Sequence, residues 1–534
     1  MLIEFPTADA IPEAARCDGA PWSMRWLCDG EVRTWTGEGA DVRSPVCLRA
    51  ADGSLTPAVL GRLPMVSAEA ALQALDAAKR AWNRGRGAWP TMRTAKRVAA
   101  LEKFVAGMVA RREEVVRLLM WEIGKTRKDA ETEFDRTVVY VRDTLEALKA
   151  IDRDGSRFMI EAGTLGQIRR SPLGVTLCMG PFNYPLNETF TTMIPALAMG
   201  NTVVCKLPRY GGLLLVPLFE AFATAFPPGV VNIFQGDGAT TVGPIMASGD
   251  IDALAFIGSS RVANLLRKQH PRPNRMRCIT GLEAKNPAVV LPDADLELAV
   301  KECVSGALSF NGQRCTALKL LLVHDSIATA FVDKLAAAVA ALKAGMPWSA
   351  GTQLTPLPED GKLEWLGKLV ADAASKGARV ITGGETEGTF FRPAVLYPVA
   401  PSAQLYTQEQ FGPVVPVATF SSDAEIDAFM QQSPYGQQVA LFGRDPQRMA
   451  GLIDALVNQV SRINLNTQCR RGPDSFPFTG RKDSAEGTLS VHDALRCFSI
   501  RTVVAAQTDN AGKQLVEDIV SGRLSSFLST DYIL

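Results

Sequence analysis

Short apolar runs alternate with amphipathic stretches from Pro172 onward, and this alternation is the clearest structural signal in the chain. The runs that predict strands are Val175–Met179, Thr202–Lys206, Val230–Phe234, Ala253–Ile257 and Arg277–Leu282. The stretches between them predict helices at Asn187–Met199, Leu213–Ala225, Thr240–Ser248 and Ser260–Gln269. Continuous apolar strands joined by helical crossovers are typical of a buried parallel sheet. The pattern therefore predicts a doubly wound α/β architecture, whose ligands bind beyond the carboxyl ends of the strands.

Helical periodicity also precedes this region, and a second α/β unit follows it. Ala68–Trp82 and Ala95–Met120 are predicted to be helical, and Ser67 is a suitable N-cap for the first of them. The other predicted features are a two-stranded excursion at Arg157–Arg170, a second α/β unit at Ala288–Asn464, a helix at Gly512–Ser521 and a tail without clear structure at Ser525–Leu534.

Composition narrows the class of protein. A chain of 534 residues should hold about two to four domains. A net charge of +1 gives no electrostatic reason to expect nucleic acid or an anionic membrane as a partner. Three histidines and no Cys-x-x-Cys pair make a metal site unexpected. Because neither a signal peptide nor a bilayer-spanning run is apparent, we expect a cytoplasmic protein with reduced thiols.

One cysteine has neighbours that suggest chemistry. Cys315 lies between Arg314 and Thr316, at the junction of the helical pattern Leu296–Leu308 and the strand-like run Lys319–Val323. A cysteine beside a fixed cation can hold its thiolate at neutral pH, which makes it a nucleophile for covalent catalysis. Most cysteines are instead inert and structural. We predict that Cys315 is a nucleophile.

A glycine-rich stretch follows the third predicted strand and opens a helix. Residues 236–243 read Gly-Asp-Gly-Ala-Thr-Thr-Val-Gly, a partial dinucleotide fingerprint with threonine where the third glycine would fall. An ordinary strand-to-helix turn explains this stretch equally well. Gly236 is a candidate cofactor contact on the first interpretation.

Six separated motifs, in order between Leu60 and Ala505, resemble those of the aldehyde dehydrogenase superfamily. They are Met179–Pro185, Lys206–Pro208, Phe256–Ser259, Phe310–Cys315, Glu409–Pro413 and Pro477–Ser484. The resemblance implies a Rossmann-type cofactor domain, an α/β catalytic domain and a small β oligomerisation element in a homo-oligomer, dimer or tetramer. The implied boundaries are 1–153 and 173–280 for the cofactor domain, 281–482 for the catalytic domain, 154–172 and 483–505 for the oligomerisation element, and 506–534 for a C-terminal extension.

The resemblance also implies a reaction and roles for particular residues. An aldehyde is oxidised to the acid through a thioester on Cys315. Asn183 and the Cys315 N–H would donate to the oxyanion, where charge develops. Taken alone, Asn183 before Tyr-Pro is more often a turn residue. The implied cofactor contacts are Lys206, Ser259, Glu409 and Phe411.

The residue that activates water departs from the family pattern. At the aligned position of the general base this chain has Gly281, and Glu283 falls two residues later. Residues two apart on a strand share a face, so Glu283 is a candidate base. It is equally a candidate for a structural ion pair with Lys285 or a nearby arginine. The family branch that makes acyl-CoA also lacks the glutamate. A CoA-acylating semialdehyde dehydrogenase, or a dinucleotide-binding member without turnover, is therefore an alternative.

One arginine bears on the cofactor. Arg209 occupies the position at which NAD-preferring members of the family have a glutamate. An arginine can bind a 2′-phosphate by a charge-assisted pair, whereas a carboxylate would repel it. We therefore expect NADP, with NAD as a second possibility. A solvated surface arginine is the alternative.

Four residues bear on the substrate. Arg136, Tyr184, Arg314 and Arg471 match positions that hold the phosphate in the NADP-dependent branch that oxidises glyceraldehyde 3-phosphate without inorganic phosphate. Converging arginines suit a phosphate dianion because each supplies oriented N–H donors. For Arg136, a solvated position on a helix is an equally good interpretation. The small-molecule substrate expected from this resemblance is a phosphorylated aldehyde.

Overall fold

The structure is a computed structural model that describes residues 2–528. Its strands are β1 (Arg25–Cys28), β2 (Glu31–Thr34), β3 (Gly39–Arg49), β4 (Leu55–Pro64), β5 (Phe158–Glu161), β6 (Thr164–Pro172), β7 (Val175–Met179), β8 (Thr202–Lys206), β9 (Val231–Phe234), β10 (Ala253–Ile257), β11 (Arg277–Gly281), β12 (Pro287–Val290), β13 (Leu320–His324), β14 (Arg379–Thr382), β15 (Thr386–Glu387), β16 (Phe390–Phe391), β17 (Ala394–Tyr397), β18 (Val414–Phe420), β19 (Tyr435–Gly436), β20 (Gln438–Phe442), β21 (Arg462–Leu465), β22 (Arg481–Lys482), β23 (Ala485–Glu486) and β24 (Ser499–Gln507).

The α-helices lie between and around these strands. They are α1 (Ala68–Trp82), α2 (Thr94–Val109), α3 (Arg112–Ile123), α4 (Arg127–Gly155), α5 (Asn187–Met199), α6 (Phe219–Ala225), α7 (Gly238–Ala247), α8 (Ser260–Gln269), α9 (Leu296–Leu308), α10 (Ala328–Ala340), α11 (Lys362–Ser375), α12 (Gln404–Thr407), α13 (Asp423–Gln432), α14 (Pro446–Leu456), α15 (Val491–Cys497) and α16 (Asn510–Ser521).

The first large sheet has the strand order β2-β1-β9-β8-β7-β10-β11-β23. Its inner strands β9, β8, β7, β10 and β11 are parallel, and the edge pairs on both sides are antiparallel. The parallel part of the sheet begins in sequence with β7. Strands β8 and β9 follow on one side of it and β10 and β11 on the other, so the strand order reverses between β7 and β10. A ligand crevice is expected at the carboxyl ends of these two strands. The predicted doubly wound α/β fold is confirmed.

The second large sheet has the order β14-β17-β18-β13-β12-β20-β21. All its pairs are parallel except β14 with β17. Apolar clusters cover both faces, which is why its strands are continuously hydrophobic. Because β12, β13 and β18 are adjacent and parallel, the segments that precede them meet at one edge of the sheet.

A third sheet contains β5, β6 and β24. The predicted two-stranded excursion at 157–170 is thus a hairpin that gains a strand from the C-terminal region. Several of its apolar side chains are exposed, Ile160 and Val503 by 65% and 59%. Exposed apolar surface of this kind marks a surface for association, and the oligomerisation element remains a prediction.

Two predicted helices differ from the observed ones. The continuous helix predicted at Ala95–Met120 is two helices, α2 and α3, with a break near Ala110, three residues after Gly107. The predicted helix Leu213–Ala225 begins as a 3₁₀ segment that contains Pro217 and becomes α-helical at Phe219. Pro217 has no N–H to donate to an α-helical hydrogen bond. The last six residues of the predicted tail lie outside the described residues.

The remaining helix predictions agree closely with the structure. The N-cap prediction is confirmed, since the Ser67 hydroxyl accepts a hydrogen bond from the Ala70 N–H at 3.3 Å. No helix within residues 2–528 is both long and apolar enough to cross a bilayer.

Candidate active site

Five predicted site residues lie at the carboxyl ends of the first sheet. Asn183 follows β7, Lys206 ends β8, and Gly236 follows β9. Ser259 follows β10, and Glu283 follows β11. Parallel strands bring their carboxyl ends to one edge, so residues spread over a hundred positions of the sequence meet at the crevice between β7 and β10.

The candidate nucleophile, Cys315, lies in the loop that precedes β13 of the second sheet. The Cys315 carbonyl, just before β13, accepts hydrogen bonds from Asn286 Nδ2 at 2.8 Å and from Lys319 Nζ at 2.9 Å. Lys319 Nζ also donates to Glu409 Oε1, just before β18. Neither Asn286 nor Lys319 was predicted as a site residue. The one sequence feature that could have indicated them is their position directly before an apolar strand.

The backbone before Cys315 adopts an unusual conformation. Phe310, Asn311 and Gly312 have φ values of 49°, 53° and 70°. A Cβ on Gly312 would lie 2.7 Å from two carbonyl oxygens, so only glycine fits there. Asn311 is held by two hydrogen bonds with Thr355, at 3.0 and 3.1 Å. Left-handed non-glycine residues require such support, and they concentrate at functional sites.

Burial raises the pKa of the Cys315 thiol above its ordinary value. The Glu188 carboxylate raises the pKa further, whereas the cations of Lys319 and Arg471 act in the opposite direction. The neighbouring Arg314 guanidinium instead donates to backbone carbonyls of α9, at 2.7 Å for the shorter contact. The expectation that Arg314 holds a thiolate at neutral pH is therefore wrong. Although it is adjacent in sequence, Arg314 directs its guanidinium toward carbonyls of α9 and not toward the thiol.

Two groups are placed to donate to an oxyanion beside the thiol. The Asn183 side-chain amide donates to the Gln313 carbonyl at 2.8 Å, two residues before Cys315. Within residues 2–528, the Cys315 N–H has no protein acceptor. The structure thus brings Asn183 to the nucleophile loop, as predicted. Its role as an oxyanion donor remains a prediction.

A buried ion pair fixes the segment that carries Asn183. Glu133 Oε1 accepts hydrogen bonds from the Leu186 and Asn187 N–H groups, both at 3.1 Å, at the start of α5. Its other oxygen accepts from the fully buried Lys125, whose Nζ lies 3.4 Å from the centroid of the Tyr184 ring. These two residues were not predicted to support the site. In the sequence, Lys125 and Glu133 cannot be distinguished from charged residues of an exposed surface.

Glu283 contacts a helix terminus and forms no ion pair with a described residue. Its Oε2 accepts a hydrogen bond from the Ser260 N–H at 2.7 Å, at the start of α8, where the helix dipole favours a carboxylate. Lys285 Nζ instead donates to the Gln408 carbonyl at 2.7 Å. The ion pair that was one of the two alternatives for Glu283 is thus absent among the described residues. Around Gly281 the nearest atom to an added Cβ is 3.6 Å away, so this position has room for a side chain.

The predicted cofactor residues line a cleft of about 680 Å³. Lys206, Arg209 and Gly236 all border it. A Cβ on Gly236 would lie 2.7 Å from Thr241 Cγ2, so the close approach of strand and helix requires glycine. Arg209 is 75% exposed at the rim, and its Nη2 lies 2.9 Å from Asp360 Oδ2. The cleft presents the cations of Lys206 and Arg209 and, at Gly236, backbone that no side chain covers, which suits the phosphates of a dinucleotide.

The other predicted cofactor residues lie on the side of the cleft towards Cys315. Phe411 has a φ of 43°, and its ring centroid is 5.8 Å from that of Phe182. Lys319 Nζ is 5.6 Å from the same ring and also contacts Glu409. Ser259 caps α8, accepting from the Val262 N–H at 3.3 Å. Among residues 2–528, no group of three or more His, Cys, Asp and Glu side chains is arranged to hold a metal ion.

The predicted phosphate residues are gathered in what we call the arginine pocket, defined by Arg136, Tyr184, Glu188, Arg314, Arg471 and Asp474. Arg136 donates to both oxygens of Asp474, at 2.9 and 2.7 Å, so it is not a freely solvated helical residue. Arg471 is 5% exposed, and its Nε lies 3.3 Å from Asp474 Oδ1. Its Nη1 forms an ion pair with Glu188. Glu188 was not predicted as a site residue.

Two buried donors of this pocket have no protein acceptor among residues 2–528. They are Nη2 of Arg471 and Nε of Arg314. Tyr184 lies beside them: burial raises the pKa of its hydroxyl, and the charges of Arg314 and Arg136 lower it. A buried guanidinium N–H without an acceptor is costly, so this pocket is suited to an anionic ligand.

Comparison with known proteins agrees with this geometry. The family model described as "Aldehyde dehydrogenase family" matches residues 51–504. An NADP-dependent glyceraldehyde-3-phosphate dehydrogenase from Streptococcus equinus is 32% identical over 450 residues, 82% of this chain and 91% of that protein. One from Pisum sativum is 31% identical, over 82% of this chain and 88% of that protein. The crystal structure of the Bacillus halodurans C-125 enzyme of that name, complexed with NADP, superposes with a TM-score of 0.83 at 30% identity, over 91% of this chain and 100% of that one.

Proposed function

The chain belongs to the aldehyde dehydrogenase family, whose members are NAD(P)-dependent oxidoreductases, and from that premise we propose its substrate and cofactor. The proposed reaction oxidises glyceraldehyde 3-phosphate, or a closely similar phosphorylated aldehyde, to the carboxylic acid. The proposed cofactor is NADP, with NAD as a weaker substitute.

The chain's own residues account for the acylation half of the reaction. The Cys315 thiol releases its proton to solvent water. The thiolate then forms a C–S bond with the aldehyde carbon, and the carbonyl π electron pair moves to the oxygen. The Asn183 amide and the Cys315 N–H then donate to that oxygen, where their fixed positions stabilise the charge. Lys319 and Asn286 hold the Cys315 carbonyl, so the loop is already in place before the substrate arrives. A nicotinamide cofactor held in the cleft that Lys206, Arg209 and Gly236 border would supply the hydride acceptor.

The observation that supports a phosphorylated substrate is the pair of buried, unpartnered donors on Arg471 and Arg314. A phosphate carries several acceptor oxygens, which guanidinium N–H groups bind by charge-assisted hydrogen bonds. Tyr184 and Arg136 lie in the same pocket. The names of the curated relatives point to the same substrate.

A panel of aldehydes tests the substrate. Glyceraldehyde 3-phosphate and glyceraldehyde share a carbon skeleton and differ in the phosphate. We expect kcat/KM to favour the phosphorylated aldehyde by about a hundredfold or more, since two charge-assisted contacts are each worth roughly 1.5–3 kcal/mol. Equal values, or a preference for glyceraldehyde, would refute the proposal. NADP binding without turnover of any aldehyde would favour a family member that has lost activity.

The proposal for NADP rests on Arg209 at the rim of the cleft. Its side chain is exposed, and its one carboxylate partner among residues 2–528 is the equally exposed Asp360, so a 2′-phosphate can replace that partner at little cost. Lys206 and Gly236 on the same cleft, together with the helix termini of α7 and α8, suit the rest of a dinucleotide.

The release step has two candidate routes. We propose that Glu283 leaves the α8 terminus and activates water, because no other carboxylate follows β11 before β12. The second candidate is transfer of the acyl group to CoA. It is favoured by Gly281 at the aligned base position and by the hydrogen bond that already holds Glu283.

Rapid-quench measurement of NADPH on Glu283→Gln separates the two routes. If Glu283 is the base, the variant should show a burst of one NADPH per site followed by slow turnover, because thioester hydrolysis becomes limiting. If CoA is the acceptor, the wild-type protein should already show that burst and turn over steadily once CoA is added. Steady wild-type turnover without CoA that Glu283→Gln leaves unchanged would exclude both routes.

We further propose a homo-oligomer that associates through the sheet β5–β6–β24, and a cytoplasmic location. The exposed apolar side chains of this sheet support the first proposal. Light scattering on the purified protein and on Val503→Asp tests it. A wild-type monomer, or an unchanged mass in the variant, would contradict it.

A further inference from the structure

Glu188 is a carboxylate that the mechanism above does not use. It lies in the first turn of α5, five residues after Asn183, and it is 7% exposed. Within residues 2–528, Arg471 is the one side-chain partner of its carboxylate. An ionised carboxylate has about four acceptor positions, so a single partner leaves most of them unused. Glu188 is therefore buried but weakly held.

Asp474, the other carboxylate of the arginine pocket, is held quite differently. It accepts from Arg136 through both of its oxygens and also pairs with Arg471. Displacing Asp474 would leave Arg136 without its carboxylate partner and Arg471 with Glu188 alone. Displacing Glu188 leaves both arginines paired with Asp474, and an incoming anion can take the place of Glu188 on Arg471. Of the two carboxylates, Glu188 is the one that a ligand can displace.

The charges of the pocket lead to the same conclusion. Arg136 and Arg471 pair with Asp474 and Glu188, so two positive charges are balanced by two carboxylates. A phosphate dianion adds two negative charges to this balanced set, and displacement of Glu188 offsets one of them. The ion pair with Glu188 occupies Nη1 of Arg471, and Nη2 has no hydrogen-bond acceptor within residues 2–528. A phosphate that binds both terminal nitrogens must displace Glu188.

We propose that Glu188 is an internal competitor for the arginine pocket, which occupies Arg471 in the free enzyme and is displaced by the substrate's anionic group. It is thus a specificity-determining residue that weakens the binding of dianions relative to uncharged aldehydes. The inference rests on the proposed function for the identity of the substrate anion. The proposal that Glu188 competes with an anion for Arg471 does not depend on which substrate carries the anion.

The first test compares two aldehydes and inorganic phosphate on Glu188→Gln. Glutamine still accepts a hydrogen bond from Arg471 but carries no charge. We expect the KM for glyceraldehyde 3-phosphate to fall about tenfold, as for one regained charge-assisted contact, and the KM for glyceraldehyde to stay within about twofold. The Ki of inorganic phosphate against glyceraldehyde oxidation should fall by a similar factor.

A second readout uses the thiol and needs no substrate. Glu188 is the nearby charge that most raises the pKa of Cys315, so its neutralisation should lower that pKa. The rate of alkylation by iodoacetamide, followed against pH, should therefore begin to rise at lower pH in Glu188→Gln. A purely structural role for Glu188 would not produce this shift together with tighter phosphate binding.

Two variants serve as controls. Glu188→Asp keeps the charge and should retain a wild-type alkylation profile. Glu131→Gln removes the same charge from an exposed pair with Arg127 on α4 and should change none of these quantities. If Glu188→Gln does not fold, Glu188→Met, of similar volume, replaces it, because a packed apolar side chain often substitutes for a buried ionic one.

The outcomes are distinguishable. A KM for the phosphorylated aldehyde and a phosphate Ki that both rise or stay unchanged would refute the proposal, because Glu188 would then support Arg471 rather than compete with the ligand. If the wild-type protein oxidises no phosphorylated aldehyde, the proposed substrate fails. The phosphate Ki and the alkylation profile would still decide the role of Glu188.

Discussion

The arginine pocket and the cofactor cleft each offer an arginine to a phosphate, but in opposite environments. Arg471 is 5% exposed and forms ion pairs with Glu188 and Asp474. Arg209 is 75% exposed and pairs with an equally exposed aspartate. A buried guanidinium must have counter-ions before its ligand arrives, whereas an exposed one is hydrated. A ligand must therefore displace a buried carboxylate to reach Arg471, whereas at Arg209 it displaces water and an exposed, weakly paired aspartate.

This difference has consequences for selectivity. In the arginine pocket, fixed geometry and excluded water make each contact strong, and Glu188 opposes the ligand. In the cleft, Arg209 gains little from its surface pair and loses little when it exchanges Asp360 for a ligand. We expect changes in the pocket to affect both stability and activity, and changes at the cleft rim to affect cofactor choice alone.

The largest effect should come from Cys315→Ser, which separates the two regions functionally. We expect oxidation to be lost, because a hydroxyl without an adjacent base is a poor nucleophile. NADP affinity, measured by calorimetry, should stay within about twofold, since no step of binding at the cleft uses the thiol. Retention of a tenth of wild-type turnover would remove Cys315 from its assigned role.

Arg471→Met should have the next largest effect. It leaves Glu188 with no partner and Asp474 with one fewer, so the free energy of unfolding should fall by about 3–5 kcal/mol. Arg209→Met should change the same quantity by about 1 kcal/mol or less. Denaturant titration of both variants measures the contrast. Equal losses would mean that burial does not distinguish the two arginines.

Arg209→Glu should have the smallest effect, and one confined to the cofactor. The reversal removes a favourable contact with a 2′-phosphate and adds a repulsion, about 2 kcal/mol in relative transition-state binding. The ratio of kcat/KM for NADP over NAD should fall about thirtyfold, without a change in the denaturation midpoint. An unchanged ratio would show that Arg209 does not reach the ribose.

The fold was largely predictable because its signals are local. Strand β7 and helices α5 and α8 have the predicted bounds, since apolar runs and 3.6-residue periodicity report burial directly. The break between α2 and α3 was missed because both helices bury an apolar face, although Gly107 in the last turn of α2 was a weak signal of a helix end. The first half of the predicted helix at Leu213–Ala225 is a 3₁₀ segment that contains Pro217, and this proline could have been recognised in the sequence as a break in the α-helix.

The site was predictable only in part. The family resemblance of the motifs identified Cys315, Asn183 and the four phosphate-binding candidates, and the structure brings these together. Arg314 was taken as the cation beside the thiol, and an ion pair was one of two alternatives for Glu283. Both side chains contact backbone groups instead. Sequence proximity does not determine side-chain direction, which depends on the acceptors and donors that other segments supply.

The sequence by itself determined the element types, the doubly wound order and the residues that carry the chemistry, because each depends on local periodicity or on a short motif. Only the tertiary structure decided which charges meet. Glu188 and Arg471 are separated by 283 positions in the chain, and Lys319 and Glu409 by 90, yet both pairs are in contact. A buried charge is stable only beside its counter-charge, and the parallel sheets, which bring distant strand ends to one edge, determine which counter-charge that is.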